Sequence, residues 1–218
     1  MSKLTLVIGS KSLSSWSLRP WLAMTMTGLP FEEIVIPLDR PDTKEEISAH
    51  SPSGRVPLLY HAKLKIWDSL AILEYLAESF PEKHLWPKGQ AARACARSVA
   101  NEMHSGFSAL RKECPMDLRR PNRPVQLSPS AKSDVARIEA MWRECRERHG
   151  KDGKFLFGRF SIADAMYAPV ATRFETYAIP VADNTRGYMN TILATKAFKD
   201  WREAALAENW RLPQSEVA

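Results

Sequence analysis

At 218 residues, 44% of them hydrophobic, the chain can bury a substantial core and is long enough for two small domains. No run approaches the roughly 20 apolar residues of a membrane-crossing helix, and the apolar part of MSKLTLVIGS is too short for a secretory signal. The expectation is a cytoplasmic protein that does not engage a membrane.

The net charge of +6 is uneven: residues 1–80 carry eight Lys/Arg against nine Asp/Glu, leaving 23 against 16 for the rest. Much of the surplus lies in Arg111–Arg148, where acids are interspersed and aromatics are few. That pattern suits a solvated helical surface that attracts small anions better than it suits a nucleic-acid site. The three cysteines, Cys95, Cys114 and Cys145, are odd in number and widely spaced. Neither they nor the histidines show metal-ligand spacing, so reduced thiols and no metal are expected.

In chain order, Leu4–Ile8 reads as a buried strand closed by Gly9-Ser10. Leu18, Trp21, Leu22 and Met24 suit a helix over Leu18–Met26 that ends at Gly28, with Pro20 in its first turn. Phe31–Leu38 reads as a second strand, and the βαβ unit so formed favours a parallel, right-handed crossover. Asp39–Ala49 reads as a loop with a short helix. Val56–Tyr60 and Lys63–Trp67 form a hairpin through His61-Ala62, and Ser69–Ser79 is an amphipathic helix capped by Asp68 or Ser69. Pro81 and Pro87 bracket a linker. Beyond Gln90 there is no strand pattern, and helices are expected over about Ala91–Glu113, Ser130–His149, Ser161–Tyr177 and Thr191–Ala207. The result is an α/β domain over residues 1–80, a linker over 81–90 and an all-helical domain over 91–218.

Four stretches stand out: SSWSLRPWLAMTMTG, GRVPLL, WDSLAILEYL and FGRFSIADAMYAP. In this order they resemble the soluble glutathione S-transferase family over nearly the whole chain, and the zeta class (maleylacetoacetate isomerase) and related bacterial members most of all. The resemblance implies a thioredoxin-like first half, a helical second half, glutathione as co-substrate and a homodimer. The zeta motif S-S-C-S-W-R-V-R, aligned on Gly28, puts its serines on Ser14 and Ser15 and its cysteine on Trp16.

The chemistry of that first motif is readable from residue types. A thiol with pKa of about 8.5 is only a few per cent thiolate at neutral pH, and lowering it by ~2 units takes roughly 2.7 kcal/mol. A helix N-terminus supplies about 0.3–1 kcal/mol and a hydroxyl donated to the charged sulfur about 1.5–3 kcal/mol. Ser14 is the candidate for that donor and Ser15 its reserve, with Ser12 the choice if the loop is shifted; Ser17 is assigned to the helix cap.

By the same resemblance Pro57 is cis, Val56 offers its backbone to the cysteinyl part of glutathione, and Arg55 reaches a carboxylate. Asp68 and Ser69 take the γ-glutamyl end. Taken alone, Val56-Pro57 also reads as an edge-strand proline and Asp68-Ser69 as a helix cap. Ser161 with Asp164 is a capping-box variant with a folding role. Helical-domain candidates for the acceptor site are Met103, Phe107, Leu110 and Arg111, then Arg173 and Tyr177, with Arg173 placed to hold a carboxylate. Their i, i+4, i+7, i+8 spacing also fits a core stripe.

The function expected is transfer of glutathione to a small electrophile. Glutathione-dependent cis–trans isomerisation and a non-catalytic interaction module are the alternatives; Trp16 in place of cysteine and the RRPNRP loop depart from the isomerases. With no cysteine before Cys95, a cysteine-dependent thiol transferase is disfavoured.

Overall fold

The computed structural model describes residues 3–210, so residues 1–2 and 211–218 of the expected domains lie outside the described residues. β1 (Leu4–Gly9) runs through the middle of the first half. Its side chains alternate between two cores. Leu4, Leu6 and Ile8 join the main core, while Val7 packs with Ile36, Ile47 and Leu58 on the other face.

The sheet order is β2–β1–β3–β4, with β2 (Glu32–Ile36), β3 (Leu58–His61) and β4 (Leu64–Trp67). β2 lies parallel to β1, whereas β3 is antiparallel to β1 and β4 antiparallel to β3. α1 (Ser15–Met26) and α3 (Ser69–Ser79) cover the main-core face, and α2 (Thr43–His50) covers the other through Ile47. This is the thioredoxin-like arrangement expected. The hairpin turns at Ala62, whose φ is 53°.

Three local expectations are corrected here. α1 begins at Ser15, so Pro20 is its sixth residue and not in the first turn. Its cap is Ser14 and not Ser17, because Ser14 Oγ accepts from Ser17 N–H at 3.3 Å. β3 also begins later than expected, at Leu58, leaving Val56 outside the ladder.

The second half is helical: a short 3₁₀ turn at Pro81–Lys83, then α4 (Gln90–Ser105), α5 (Ser108–Glu113), α6 (Pro129–His149), α7 (Ile162–Thr176), α8 (Asp183–Leu193) and α9 (Lys196–Ala207). The helix expected over 91–113 is broken at Gly106-Phe107. Phe107 takes a left-handed φ of 57°, and a Cβ at Gly106 would lie 2.7 Å from the Glu102 carbonyl oxygen. α8 starts well before Thr191, since Thr185, Tyr188, Met189 and Ile192 supply a buried i, i+3, i+4, i+7 stripe across Gly187. Thr195 then caps a separate α9, its Oγ1 accepting from Phe198 N–H at 3.2 Å.

α7 is buried along nearly its whole length and opens with the expected capping box of Ser161 and Asp164. α1 packs on α7, and Trp21 meets Trp201 of α9 with ring centroids 5.1 Å apart. The N-terminus of α1 therefore sits at the seam between the halves. Among the described residues no helix is long and apolar enough to cross a membrane.

Candidate active site

Two cavities adjoin at this seam. The first, of about 490 Å³, is lined by Trp16, Ser53, Arg55, Val56, Pro57, Trp67, Asp68, Ser69 and His104. The Val56–Pro57 bond is cis, and Val56 stands two residues ahead of β3 with its backbone outside the ladder. An extended backbone group of a ligand finds an edge there.

Asp68 holds the far lip. Its Oδ1 accepts from the N–H groups of Leu70 and Ala71 at 2.9 and 3.2 Å, capping α3, while its Oδ2 lies 3.3 Å from His104 Nε2. The residue adopts φ 75°, ψ 133°, a conformation that costs an L residue of order 1–3 kcal/mol and is found where a site demands it. Ser69 is buried, and its Oγ accepts from Arg19 Nη1 at 3.3 Å.

The second cavity, about 720 Å³, shares Trp16, Arg55 and Val56 with the first and adds Leu13, Ser14, Ser15, Leu38, Ile47, Arg111, Met116 and Arg173 among its lining. Ser14 Oγ donates to Ser17 Oγ at 2.7 Å, and Ser17 Oγ also accepts from Gly9 N–H at 3.1 Å. The Ser14 hydroxyl thus sits at the positive end of α1 on a proton that turns freely about its C–O bond. Ser15 Oγ accepts from Arg173 Nη2 at 3.3 Å. Ser12 is engaged elsewhere, donating to Glu208 Oε2 at 2.6 Å.

Around Trp16 the seam gathers three guanidinium groups. Arg19 lies over the Trp16 ring at 4.1 Å and Arg111 at 5.3 Å, and the His104 ring meets Trp16 edge-on at 5.3 Å. Arg173 Nε donates to the Cys114 carbonyl at 2.8 Å. Arg19 Nε and Arg173 Nη1 are buried without a partner. Burial, reinforced by Arg173 and Arg111, brings Arg19 down to about 9, with Asp68 opposing. Burial and then Arg111 bring Arg173 down to about 10. Asp134 acts on Arg111 and Asp68 on Arg19, and Arg111 and Arg173 line the second cavity with a net positive charge that favours an anion.

The structure thus brings Arg55, Val56, Pro57, Asp68 and Ser69 to one cavity and Ser14, Ser15, Arg111 and Arg173 to its neighbour. It does not bring Met103, Phe107, Leu110 or Tyr177 to either wall; all four are buried in the core. The spacing of Met103, Phe107 and Leu110 was counted along one continuous helix, and the left-handed turn at Phe107 breaks that helix in two; Tyr177 closes α7 with its hydroxyl on the Pro115 carbonyl. Arg19 and His104 were missed. Arg19 had a signal, as a lone cation inside the apolar run LRPWLAM; His104 had none, because its partner Asp68 is remote in sequence.

A mixed sheet domain offering a polar cavity, sealed by a helical domain that walls a second one, defines the glutathione-transferase class of proteins. Family models described as "Glutathione S-transferase, N-terminal domain" and "Glutathione S-transferase, C-terminal domain" match residues 13–79 and 99–211. The chain belongs to the glutathione S-transferase family. It is 27% identical over 195 residues to maleylacetoacetate isomerase of Rattus norvegicus, covering 87% of each chain. It is 38% identical over 102 residues to glutathione S-transferase 1 of Dianthus caryophyllus, a match that spans 46% of either protein. Among solved structures, a glutathione transferase homolog from Burkholderia with bound glutathione superposes with TM-score 0.72 at 22% identity, covering 94% of this chain and 100% of that one. Poplar glutathione transferase F1 gives 0.72 at 19%, covering 95% and 100%. At these identities the structural likeness speaks for the fold.

Proposed function

We propose that the chain binds glutathione across the first cavity and presents its thiol to an electrophile held in the second. The observation that carries this reading is the convergence of the Val56-Pro57 edge with Asp68 and Ser69 on one cavity that opens beside Ser14. Val56 hydrogen-bonds the cysteinyl backbone, Asp68 takes the γ-glutamyl ammonium, and Ser69, through its hydroxyl and its backbone N–H, takes its carboxylate. Arg55 reaches the other carboxylate from the rim. Ser14 turns its hydroxyl from Ser17 to the sulfur and stabilises the thiolate, with the α1 N-terminus adding its field. Ser15, bonded to Arg173, orients that cation.

Arg111 and Arg173 select an acceptor that bears a carboxylate, while Leu13, Leu38, Ile47 and Met116 pack its apolar part. This anionic preference, with the relatives named maleylacetoacetate isomerase, supports a second reading in which glutathione adds to a conjugated acid and leaves again. Recovery of free glutathione separates isomerisation from conjugation. The reading takes residues 1–80 as the glutathione-binding domain, 81–90 as linker and 91–218 as the acceptor domain, in a cytoplasmic homodimer without a metal.

Calorimetric titration with reduced glutathione tests it. One-site binding is expected, weakened at least about tenfold, or about 1.4 kcal/mol, in an Asp68→Ala, Ser69→Ala variant. Absence of heat at millimolar glutathione overturns the reading.

A further inference from the structure

The turn that presents Ser14 is secured by the far end of the chain. Residues 10–14 belong to no helix or strand, and within them Ser14 N–H donates to the Ser10 carbonyl at 2.8 Å and Leu13 N–H to the same oxygen at 3.2 Å. The carboxylate of Glu208 accepts from two successive backbone N–H groups of this turn, those of Lys11 and Ser12, and from the Ser12 hydroxyl at 2.6 Å. Consecutive N–H groups of this kind form an anion-binding nest, here filled by the chain's own carboxylate. The Glu208 side chain is only 4% exposed, so the contact is shielded from solvent.

Other contacts fasten the same residues. Trp210 Nε1 donates to Ser10 Oγ at 3.3 Å, and Trp201 Nε1 donates to the Lys11 carbonyl at 2.9 Å. Arg119 Nε donates to the Ala205 carbonyl at 3.1 Å, its Nη2 donates to the Glu208 carbonyl, and that Nη2 lies 3.9 Å from the Glu208 carboxylate. Leu118 N–H donates to the Ser12 carbonyl at 3.0 Å, tying in the loop that carries Pro115 and Met116 of the second cavity. One carboxylate thereby joins the serine turn, the segment after α9 and a wall of the acceptor cavity.

We propose that Glu208 is a positioning residue for the transferase reaction: it fixes the Ser10–Ser14 turn so that the Ser14 hydroxyl stays at the N-terminus of α1, facing the sulfur. This rests on the reading of Ser14 as the thiolate's donor. Glu208 touches neither glutathione nor acceptor. Its loss frees the turn, which costs ordering of the donor more than it costs binding.

The test is a pH titration of thiolate ultraviolet absorbance in the protein–glutathione complex, with calorimetric affinity and thermal midpoint measured alongside. Glu208→Ala is expected to raise the apparent thiol pKa by about one pH unit while the glutathione Kd changes by less than about threefold. Glu208→Gln, which keeps one acceptor oxygen, recovers part of the shift. Ser12→Ala removes one donor to the carboxylate and leaves the strap in place; it moves the pKa in the same direction by less and serves if Glu208→Ala does not fold. Ser14→Ala separates the two ideas. If Ser14→Ala titrates like the wild type, the Ser14 reading falls and this inference with it. If Ser14→Ala shifts while folded Glu208 variants and Ser12→Ala do not, the positioning role alone is overturned.

Discussion

Two of the places where the described residues bury charge are treated in opposite ways. At the start of α7, Asp164 is fully buried and accepts from Leu156 N–H, Ser161 N–H, Ser161 Oγ and Tyr188 OH at 2.8–3.0 Å. At the seam, Arg19 and Arg173 are 1% and 4% exposed, yet Arg19 makes one side-chain hydrogen bond and Arg173 two among the described residues. Each keeps a buried nitrogen without a partner. A buried charge with its full set of partners closes a fold. A buried charge with spare capacity carries a desolvation cost that the chain offsets only in part, and a ligand of opposite sign can offset more of it. The contrast separates an acid whose partners all lie within the fold from cations that keep hydrogen-bonding capacity to spare.

The largest expected effect lies on the satisfied side. Asp164→Ala leaves the Leu156 and Ser161 donors and the Tyr188 hydroxyl buried and unpaired, and should cost about 3–5 kcal/mol, read as the shift in urea midpoint. A loss below about 1 kcal/mol would mean that water or a neighbour replaces the carboxylate, and the distinction drawn here would fail.

On the other side, Arg173→Met should act on ligands and little on stability. Maleate, as a probe dicarboxylate, should inhibit turnover of a neutral electrophile, and the variant should raise its inhibition constant at least about tenfold. Stability should fall by at most about 1 kcal/mol, since only the Cys114 carbonyl and the Ser15 hydroxyl lose a partner. Equal weakening of maleate and glutathione would move Arg173 into the glutathione cavity instead.

How much of this was legible in the sequence follows from how local each feature is. β1, the hairpin, α3 and the capping box of α7 are fixed by alternation, turn residues and caps within a few positions, and the sequence reading placed them. The break at Gly106-Phe107 was missed because apolar spacing runs straight through it; only the close approach of Gly106 to the Glu102 carbonyl shows why the helix stops. Ser17 was taken for the cap because the apolar run starts at Leu18, whereas Ser14 caps a first turn of Ser15, Trp16 and Ser17 that carries no hydrophobic pattern. Asp68 was readable as the cap of α3, and the ligand role of Asp68 and Ser69 rests on the resemblance and on the reading proposed above. The guanidinium cluster was not: Arg19, Arg111 and Arg173 lie on three helices, and their meeting around Trp16 is a property of the packing alone.

A pH profile gives the most direct test of the unpaired state. Burial, then Arg173 and Arg111, hold Arg19 at about 9 in the fold, against a much higher ordinary value in the unfolded chain. Between those values the unfolded chain binds more protons than the folded one, so unfolding free energy rises with pH, by up to about 1.4 kcal/mol per pH unit for one such group. The unfavourable contribution is therefore complete below the folded value and is relieved as pH climbs through it. Tyr167 and Tyr188, whose hydroxyls burial pushes well up, work against stability in the same alkaline range, which makes the raw profile uninformative. The difference between wild type and Arg19→Met cancels Tyr188 and leaves of Tyr167 only its coupling to Arg19. Urea midpoints from about pH 8 to about pH 11 should show the wild type gaining on the variant as pH rises. A flat difference would mean that Arg19 stays protonated in the fold across this range, and the unpaired seam would then cost less than its burial implies.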